Sequence, residues 1–84
     1  QMQRAAISIS SNIAEGFAKK SSEATFKFHL KVALGSSDEV VTHLRTLAIS
    51  FVNLSIESLE LAEKYKTLSK RLNSLHKKWH SYKF

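Results

Sequence analysis

The chain is 84 residues long, carries a formal net charge of +6, and contains no proline, no cysteine and two glycines. A chain of this length forms a single domain, and the scarcity of helix-breaking residues favours long helices over a sheet with many turns. The lack of cysteine excludes a disulfide scaffold and a thiolate metal site and fits a reducing compartment. No apolar run approaches the ~20 residues that span a bilayer, so we expect a cytoplasmic protein with no membrane partner.

The beginning of the chain carries an apolar stripe with the spacing of one helical face. This spacing predicts a first helix from about Gln1 to Glu15 or Ala18, ending near Gly16. The stripe consists of Met2, Ala6, Ile9, Ile13, Gly16 and Phe17.

Asn12 and Glu15 lie three residues apart on the polar face of this helix. One interpretation is a polar site at the axis of an oligomer, or a contact with a partner. The other is a hydrogen-bond network that caps the turn at Gly16 and fixes the register of the helix. A lone carboxylate without a second acid is poor support for general acid–base catalysis.

A second helix is predicted from Ser22 to about Phe51, with Ser21 or Ser22 as its N-cap. A Gly-Ser-Ser triplet at residues 35–37 lies in its middle. Because glycine in a helix costs roughly 1 kcal/mol relative to alanine, we expect a neighbouring helix backbone to approach Gly35 closely, with a kink as the alternative. The core stripe comprises Phe26, Leu30, Ala33, Ser37, Val40, Val41, Leu44, Leu47, Ala48 and Phe51.

A third helix is predicted from about Ile56 to Tyr82, after a break at residues 53–55 in which Ser55 provides the N-cap. Its apolar positions alternate at four and three residues, which is the seam of a left-handed helix bundle. We therefore expect an all-α fold over residues 1–84, a long antiparallel up-down bundle with three helices in this chain. The seam residues are Leu61, Tyr65, Leu68, Leu72, Leu75, Trp79 and Tyr82.

Two motifs in the first half of the chain resemble those of a bacterial family of four-helix bundle proteins. These are the 23S rRNA intervening-sequence proteins, which include the Avd-type accessory variability proteins of diversity-generating retroelements. The first motif is Gln1-x-x-Arg4-Ala5-Ala6-x-Ser8-Ile9-x-x-Asn12-Ile13-Ala14-Glu15-Gly16. The second motif comprises Phe26, Leu30 and Val32-Ala33-x-Gly35-Ser36-x-x-Glu39.

The resemblance implies a setting at rRNA, or at a reverse transcriptase with its template RNA. It also implies a symmetric homo-oligomer, since pentameric barrels occur in the family, and a further helix before Gln1. Three helices alone leave a long apolar stripe exposed, and such patches usually mark interfaces. We therefore expect the chain either to lack its first helix or to bury the gap against other copies. The motif residues expected to serve packing and assembly are Asn12, Glu15, Gly16, Gly35 and Ser36.

All of the excess positive charge lies at the end of the chain. Residues 64–84 contain seven Lys and Arg residues and no acidic residue, whereas residues 1–63 contain six Lys and Arg residues and seven acidic residues. Helical geometry places Lys66, Lys70 and Lys77 opposite the expected core, with a second basic stripe on one flank. Such surfaces bind the phosphates of nucleic acids, although a lysine-rich helix back is also simply solvated. The candidate nucleic-acid-binding residues are Lys64, Lys66, Lys70, Arg71, Lys77, Lys78 and Lys83.

Candidate catalytic groups do not combine into a known arrangement. His76 and His80 have the i,i+4 spacing of metal ligands, but they lack a third ligand nearby, so no metal or other cofactor is expected. Neither His29 nor His43 pairs in sequence with a nucleophile. We therefore expect a non-enzymatic protein that binds nucleic acid, with a protein–protein scaffold that has no nucleic-acid role as the alternative.

Overall fold

The computed structural model describes residues 2–79. They form three α-helices: α1 (Met2–Ala18), α2 (Glu23–Ser50) and α3 (Ser55–Lys78), with a short 3-10 turn (Val52–Leu54) between the last two. The predicted all-α fold with three helices is confirmed. None of these helices is both long enough and apolar enough to cross a membrane. The third helix ends earlier than predicted, at Lys78, because Trp79 has an extended backbone. The predicted start at residue 1 and Tyr82 lie outside the described residues.

The helices run antiparallel, as the order of their contacts shows. The hydroxyl of Ser8, in the first half of α1, lies 2.8 Å from that of Ser36 in the middle of α2. Phe17, near the end of α1, packs on Phe26 near the start of α2. The ring of Phe26 also packs on Trp79, the residue that follows α3, with ring centroids 4.5 Å apart. Phe26 therefore joins all three helical segments at one end of the molecule.

The helix α2 lies in the middle of a thin layer. Within residues 2–79, no Cα atom of α1 comes within 8 Å of a Cα atom of α3, so the backbone of each outer helix approaches that of α2 and not that of the other outer helix. The Cα atoms extend over 54 × 21 × 12 Å, so the molecule is clearly wider across its helices than it is thick. This arrangement leaves an open groove between α1 and α3.

The buried face of α2 follows the predicted stripe over most of its length. The buried residues are Phe26, Leu30, Ala33, Ser37, Val40, Val41 and Leu44. The prediction fails at Phe51, which is 52% exposed. The helix ends one residue earlier, and Phe51 has an extended backbone that carries its side chain away from the stripe.

One of the two predicted N-caps is present. The Ser22 hydroxyl accepts a hydrogen bond from the Thr25 amide at 3.3 Å, which supplies one of the free N–H groups at the start of α2 with a partner. The prediction for Ser55 is wrong, because the 3-10 turn leads directly into α3 and Ser55 is already helical. Its hydroxyl instead donates to the carbonyl oxygen of Val52 at 2.9 Å.

The face that α3 turns toward α2 is rotated from the predicted seam. The buried residues of α3 are Ser58, Ala62, Ser69 and Leu72. Of the predicted seam, Leu61 is 41% exposed, while Tyr65, Leu68 and Leu75 are half-buried. The small buried residues let the backbones of α2 and α3 come close. Tyr65, Leu68 and Leu75 of the predicted seam still pack against the core from its edge, and Leu61 and Leu68 also line the groove.

Phe26 is fully buried, and its replacement by alanine removes contacts with both outer helical segments. We expect Phe26→Ala to lower the free energy of unfolding by about 3–5 kcal/mol, measured by urea denaturation followed by circular dichroism. The matched control is Phe28→Ala, since Phe28 lies on the same helix but is 63% exposed; it should change the free energy by no more than about 0.5 kcal/mol. Equal effects of the two substitutions would contradict the described packing.

Candidate nucleic-acid interface

The antiparallel packing collects basic residues at one end of the molecule. The end of α1, the beginning of α2 and the end of α3 lie together there, joined through Phe26. We call this region the basic end; its cations are Lys19, Lys20, Lys27, Lys31, Lys77 and Lys78. Lys70 and Arg71 lie nearer the middle of the long axis, because the neighbouring Ser69 bonds Ser37 in the middle of α2. The sequence analysis missed the contributions of α1 and α2, because it counted charge along the chain and did not combine it with the antiparallel topology.

Two ion pairs reduce the charge of the basic end. The ammonium group of Lys19 lies 3.3 Å from a carboxylate oxygen of Glu15, and that of Lys27 lies 3.7 Å from Glu23. Exposed i,i+4 pairs of this kind contribute about 0.3–0.5 kcal/mol and are screened by salt. Both lysines therefore remain available to exchange a carboxylate for a phosphate.

Acidic residues concentrate toward the other end. Most lie in the second half of α2 and the first half of α3, namely Asp38, Glu39, Glu57, Glu60 and Glu63. Four cations lie in the same half, so that half is close to neutral and the net positive charge of the described residues is concentrated toward the basic end, which favours the approach of a polyanion there. These cations are Arg4, Arg45, Lys64 and Lys66. The order of charges along α3 also suits its helix dipole, with Glu57 in the first turn and Lys77 and Lys78 in the last.

The predicted nucleic-acid-binding residues on α3 are exposed wherever the structure describes them. They are Lys64, Lys66, Lys70, Arg71, Lys77 and Lys78; Lys83 lies outside the described residues, as does His80. The placement of Lys66 and Lys70 opposite the core is wrong. Because α3 is rotated, these two lysines border a cleft between α3 and α2.

This cleft, which we call the α2–α3 cleft, has a volume of about 390 Å³. It is lined by Leu34, Asp38, Lys66, Ser69, Lys70 and Asn73. Among the described residues, Asp38 makes no ion pair with either lysine. The cleft thus presents two ammonium groups, a carboxylate and an amide to the solvent.

The groove between α1 and α3 has a different character. Its volume is about 400 Å³, and most of its lining is apolar. We call it the apolar groove; its lining residues are Ala6, Ile9, Ser10, Ile13, Leu61, Lys64, Tyr65 and Leu68. Lys64 thus lines the apolar groove and lies apart from the basic end.

Asn12 belongs to a polar network that links α1 to α2. The amide oxygen of Asn12 accepts a hydrogen bond from Nδ1 of His29 at 2.9 Å, and its amide nitrogen donates to the Ser8 carbonyl oxygen at 2.8 Å. Ser8 in turn contacts Ser36 through hydroxyl groups 2.8 Å apart. The network therefore fixes the register of the two helices, and nothing in the sequence pattern indicated that His29 takes part.

Glu15 does not belong to that network, because its carboxylate pairs with Lys19 on the surface. The expected network that caps a turn at Gly16 is therefore wrong. Helix α1 continues through Gly16 to Ala18, and no described glycine has a positive φ. Gly16 is instead buried against α2, where an added Cβ would lie 3.2 Å from Cδ1 of Phe26.

The small residues in the middle of α2 have separate roles. The expected close approach of a helix at Gly35 is wrong within the described residues, since no atom of a neighbour lies within 4 Å of an added Cβ there. The approach occurs at Ser37, whose hydroxyl donates to the carbonyl oxygen of Tyr65 at 3.0 Å. The Ser69 hydroxyl donates to that of Ser37 at 2.8 Å, so both buried hydroxyls have partners.

The two glycines provide a matched pair of substitutions. Gly35→Ala places a methyl group in open space on an exposed helix position, so we expect the free energy of unfolding to rise by up to about 1 kcal/mol. Gly16→Ala gains the same helix propensity but crowds Phe26 and His29, so its gain should be smaller or reversed. Thermal unfolding of both variants tests this order, and equal stabilisation would show that the contact at Gly16 is not limiting.

Within residues 2–79, no three histidine, cysteine, aspartate or glutamate side chains are grouped so as to hold a metal ion. Two surfaces of the described residues have distinctive chemistry: the basic end with its adjoining α2–α3 cleft, and the apolar groove. The first suits an anionic polymer, and the second suits an apolar helix face.

Comparison with known proteins gives one match. A family model described as 23S rRNA-intervening sequence protein matches residues 1–74, which include α1, α2 and most of α3. No curated protein matches the chain, and no solved structure matches it.

Proposed function

We propose, from the premise that this chain belongs to the 23S rRNA-intervening sequence protein family, that it is a non-enzymatic protein that binds RNA through its basic end. The observation that carries this proposal is the convergence of cations from three helix ends on one end of the molecule, with most acids toward the other. A purely solvated lysine face needs no such convergence. Whether the RNA is rRNA or the template of a partner reverse transcriptase is the finer alternative that the family resemblance implies.

Binding at such a surface is dominated by phosphate contacts. Each contact releases condensed counterions, so the logarithm of the affinity falls with the logarithm of salt concentration by about 0.7 per contact for a single strand. Lysine ammonium groups contact phosphates without reading sequence. A steep dependence on salt with a weak dependence on sequence is thus the expected behaviour of the basic end.

Charge reversal at the basic end tests the proposal. We expect the double variant Lys77→Glu and Lys78→Glu to lose most of its affinity for a labelled single-stranded RNA, because both side chains are exposed cations of the basic end. Fluorescence anisotropy at low and high salt measures the affinity and its salt slope. The slope should also become shallower in the variant.

The matched control is the double variant Arg4→Glu and Arg45→Glu. Both arginines are exposed, lie toward the other end of the molecule, and give the same change in net charge. If the two double variants weaken binding equally, only the overall charge matters and the assignment to the basic end is wrong. If wild-type protein does not bind at low salt, the alternative of a protein–protein scaffold replaces the proposal.

We propose further that copies of the chain associate through the apolar groove. The groove leaves Leu61 41% exposed between two helices whose Cα atoms stay more than 8 Å apart in the described residues, and an apolar surface of this kind usually marks an interface. Symmetric assembly, including a pentamer, is what the family resemblance implies. Association would bury the groove without covering Lys70 or Lys77, which lie outside its lining.

A charge in the groove should disrupt this association. We expect Leu61→Glu to lower the mass measured by sedimentation or light scattering, because a carboxylate would be buried in the interface without a partner. The control Thr67→Glu adds the same charge to an exposed position of α3 that does not line the groove, and should leave the mass unchanged. A monomeric mass for the wild-type chain at working concentration would contradict the association itself.

A further inference from the structure

The α2–α3 cleft contains one group that phosphate binding does not use. Lys66 and Lys70 are four residues apart on α3 and border the cleft together, so they suit a phosphate. Asp38 lies across from them on α2 and is exposed, without an ion pair to either lysine among the described residues. A carboxylate at this position repels the phosphates of a polyanion.

The side chains of the cleft form a set of donors and acceptors that suits a whole nucleotide. An ionised carboxylate accepts hydrogen bonds through two oxygens, and in nucleic-acid recognition it pairs with the amino groups of bases. Guanine offers an imino N–H and an amino group side by side on its Watson–Crick edge, which match the two oxygens of Asp38. The half-buried side chain of Leu34 provides an apolar surface in the same cleft.

The size and position of the cleft favour an unpaired nucleotide over a duplex. Its volume is about 390 Å³ and it is largely open to solvent, so it suits a single nucleotide held at the surface and not a deeply enclosed ligand. Unpaired bases in RNA loops and ends splay out and present their Watson–Crick edges to proteins. A base that is paired in a duplex has this edge occupied and cannot reach a side chain in a cleft.

We infer that the α2–α3 cleft holds one unpaired guanosine nucleotide of the bound RNA. Asp38 accepts hydrogen bonds from the imino and amino groups of the base, while Lys66 and Lys70 hold the adjoining phosphate. This inference rests on the proposed RNA binding and adds to it a preferred base. The basic end then supplies affinity, and Asp38 supplies selectivity.

The inference predicts the sign of a mutational effect. If Asp38 only repels phosphates, removal of its charge tightens binding to every RNA by the same factor. If it reads guanine, its replacement by asparagine lowers the preference for guanine, because the amide has one acceptor oxygen where the carboxylate has two. The matched control is Glu39→Gln, since Glu39 is an exposed neighbouring acid on α2 that does not line the cleft.

The experiment titrates wild-type protein, Asp38→Asn and Glu39→Gln with labelled single-stranded oligouridine that carries one central guanosine, inosine or adenosine. Inosine retains the imino group of guanosine but lacks its amino group. We expect wild-type protein and Glu39→Gln to prefer guanosine over inosine and adenosine by about fivefold or more. Asp38→Asn should bind the three oligonucleotides with nearly equal affinity, while circular dichroism shows unchanged helicity.

Two results would overturn the inference in distinguishable ways. Equal binding of the three oligonucleotides by wild-type protein, with tighter binding of all three by Asp38→Asn and Glu39→Gln alike, removes the guanosine site and leaves RNA binding intact. Failure of wild-type protein to bind any oligonucleotide at low salt removes the proposed function, and the guanosine site with it.

Discussion

The described structure depends on the packing of α2 between two helices whose backbones stay apart. No Cα atom of α1 lies within 8 Å of one in α3 over residues 2–79, so the close backbone packing of both outer helices is with α2. Its buried face combines apolar residues such as Phe26 and Leu30 with the hydroxyl of Ser37. The apolar residues supply most of the burial energy, and the hydroxyl contacts fix the register of the outer helices.

The two surfaces that we associate with function follow from this central position. Because α1 and α3 both pack on α2 and their backbones stay apart, a groove remains between them. The groove is apolar because both helices line it mostly with apolar side chains. The antiparallel order of the helices, in turn, brings the basic residues at the end of α1 and the start of α2 next to those at the end of α3. The concentration of positive charge at one end is thus a product of topology as much as of sequence.

The parts of the fold that could be predicted from sequence are those that depend on local patterns. Periodicity gave the three helices and most of the buried face of α2, and the chemistry of N-caps gave Ser22. The rotation of α3 could not be found in this way, because large apolar residues mark an amphipathic face without showing which edge packs closest. Here Ser58, Ala62 and Ser69 pack closest, since short side chains allow the approach.

The errors at the candidate site have the same origin. Gly16 has the sequence context of a helix terminator, yet it is a contact position whose role depends on Phe26 across the interface. Lys66 and Lys70 were expected to face away from the core, and the rotation of α3 places them beside Asp38. The exposed cations themselves could be predicted, because their placement on a helix surface is a local property. Their neighbours on other helices could not.

Oligomerisation and RNA binding would reinforce each other if both proposals hold. The apolar groove and the α2–α3 cleft lie on opposite flanks of α3, and Lys64 borders only the groove. Copies that associate through the groove would therefore keep Lys66 and Lys70 open to solvent. An assembly with several basic ends binds one RNA strand at several points, and linked contacts raise the apparent affinity by orders of magnitude without any new contact within a subunit. Modest charge on each short chain would then suffice for tight binding, which gives the open groove a direct part in RNA recognition.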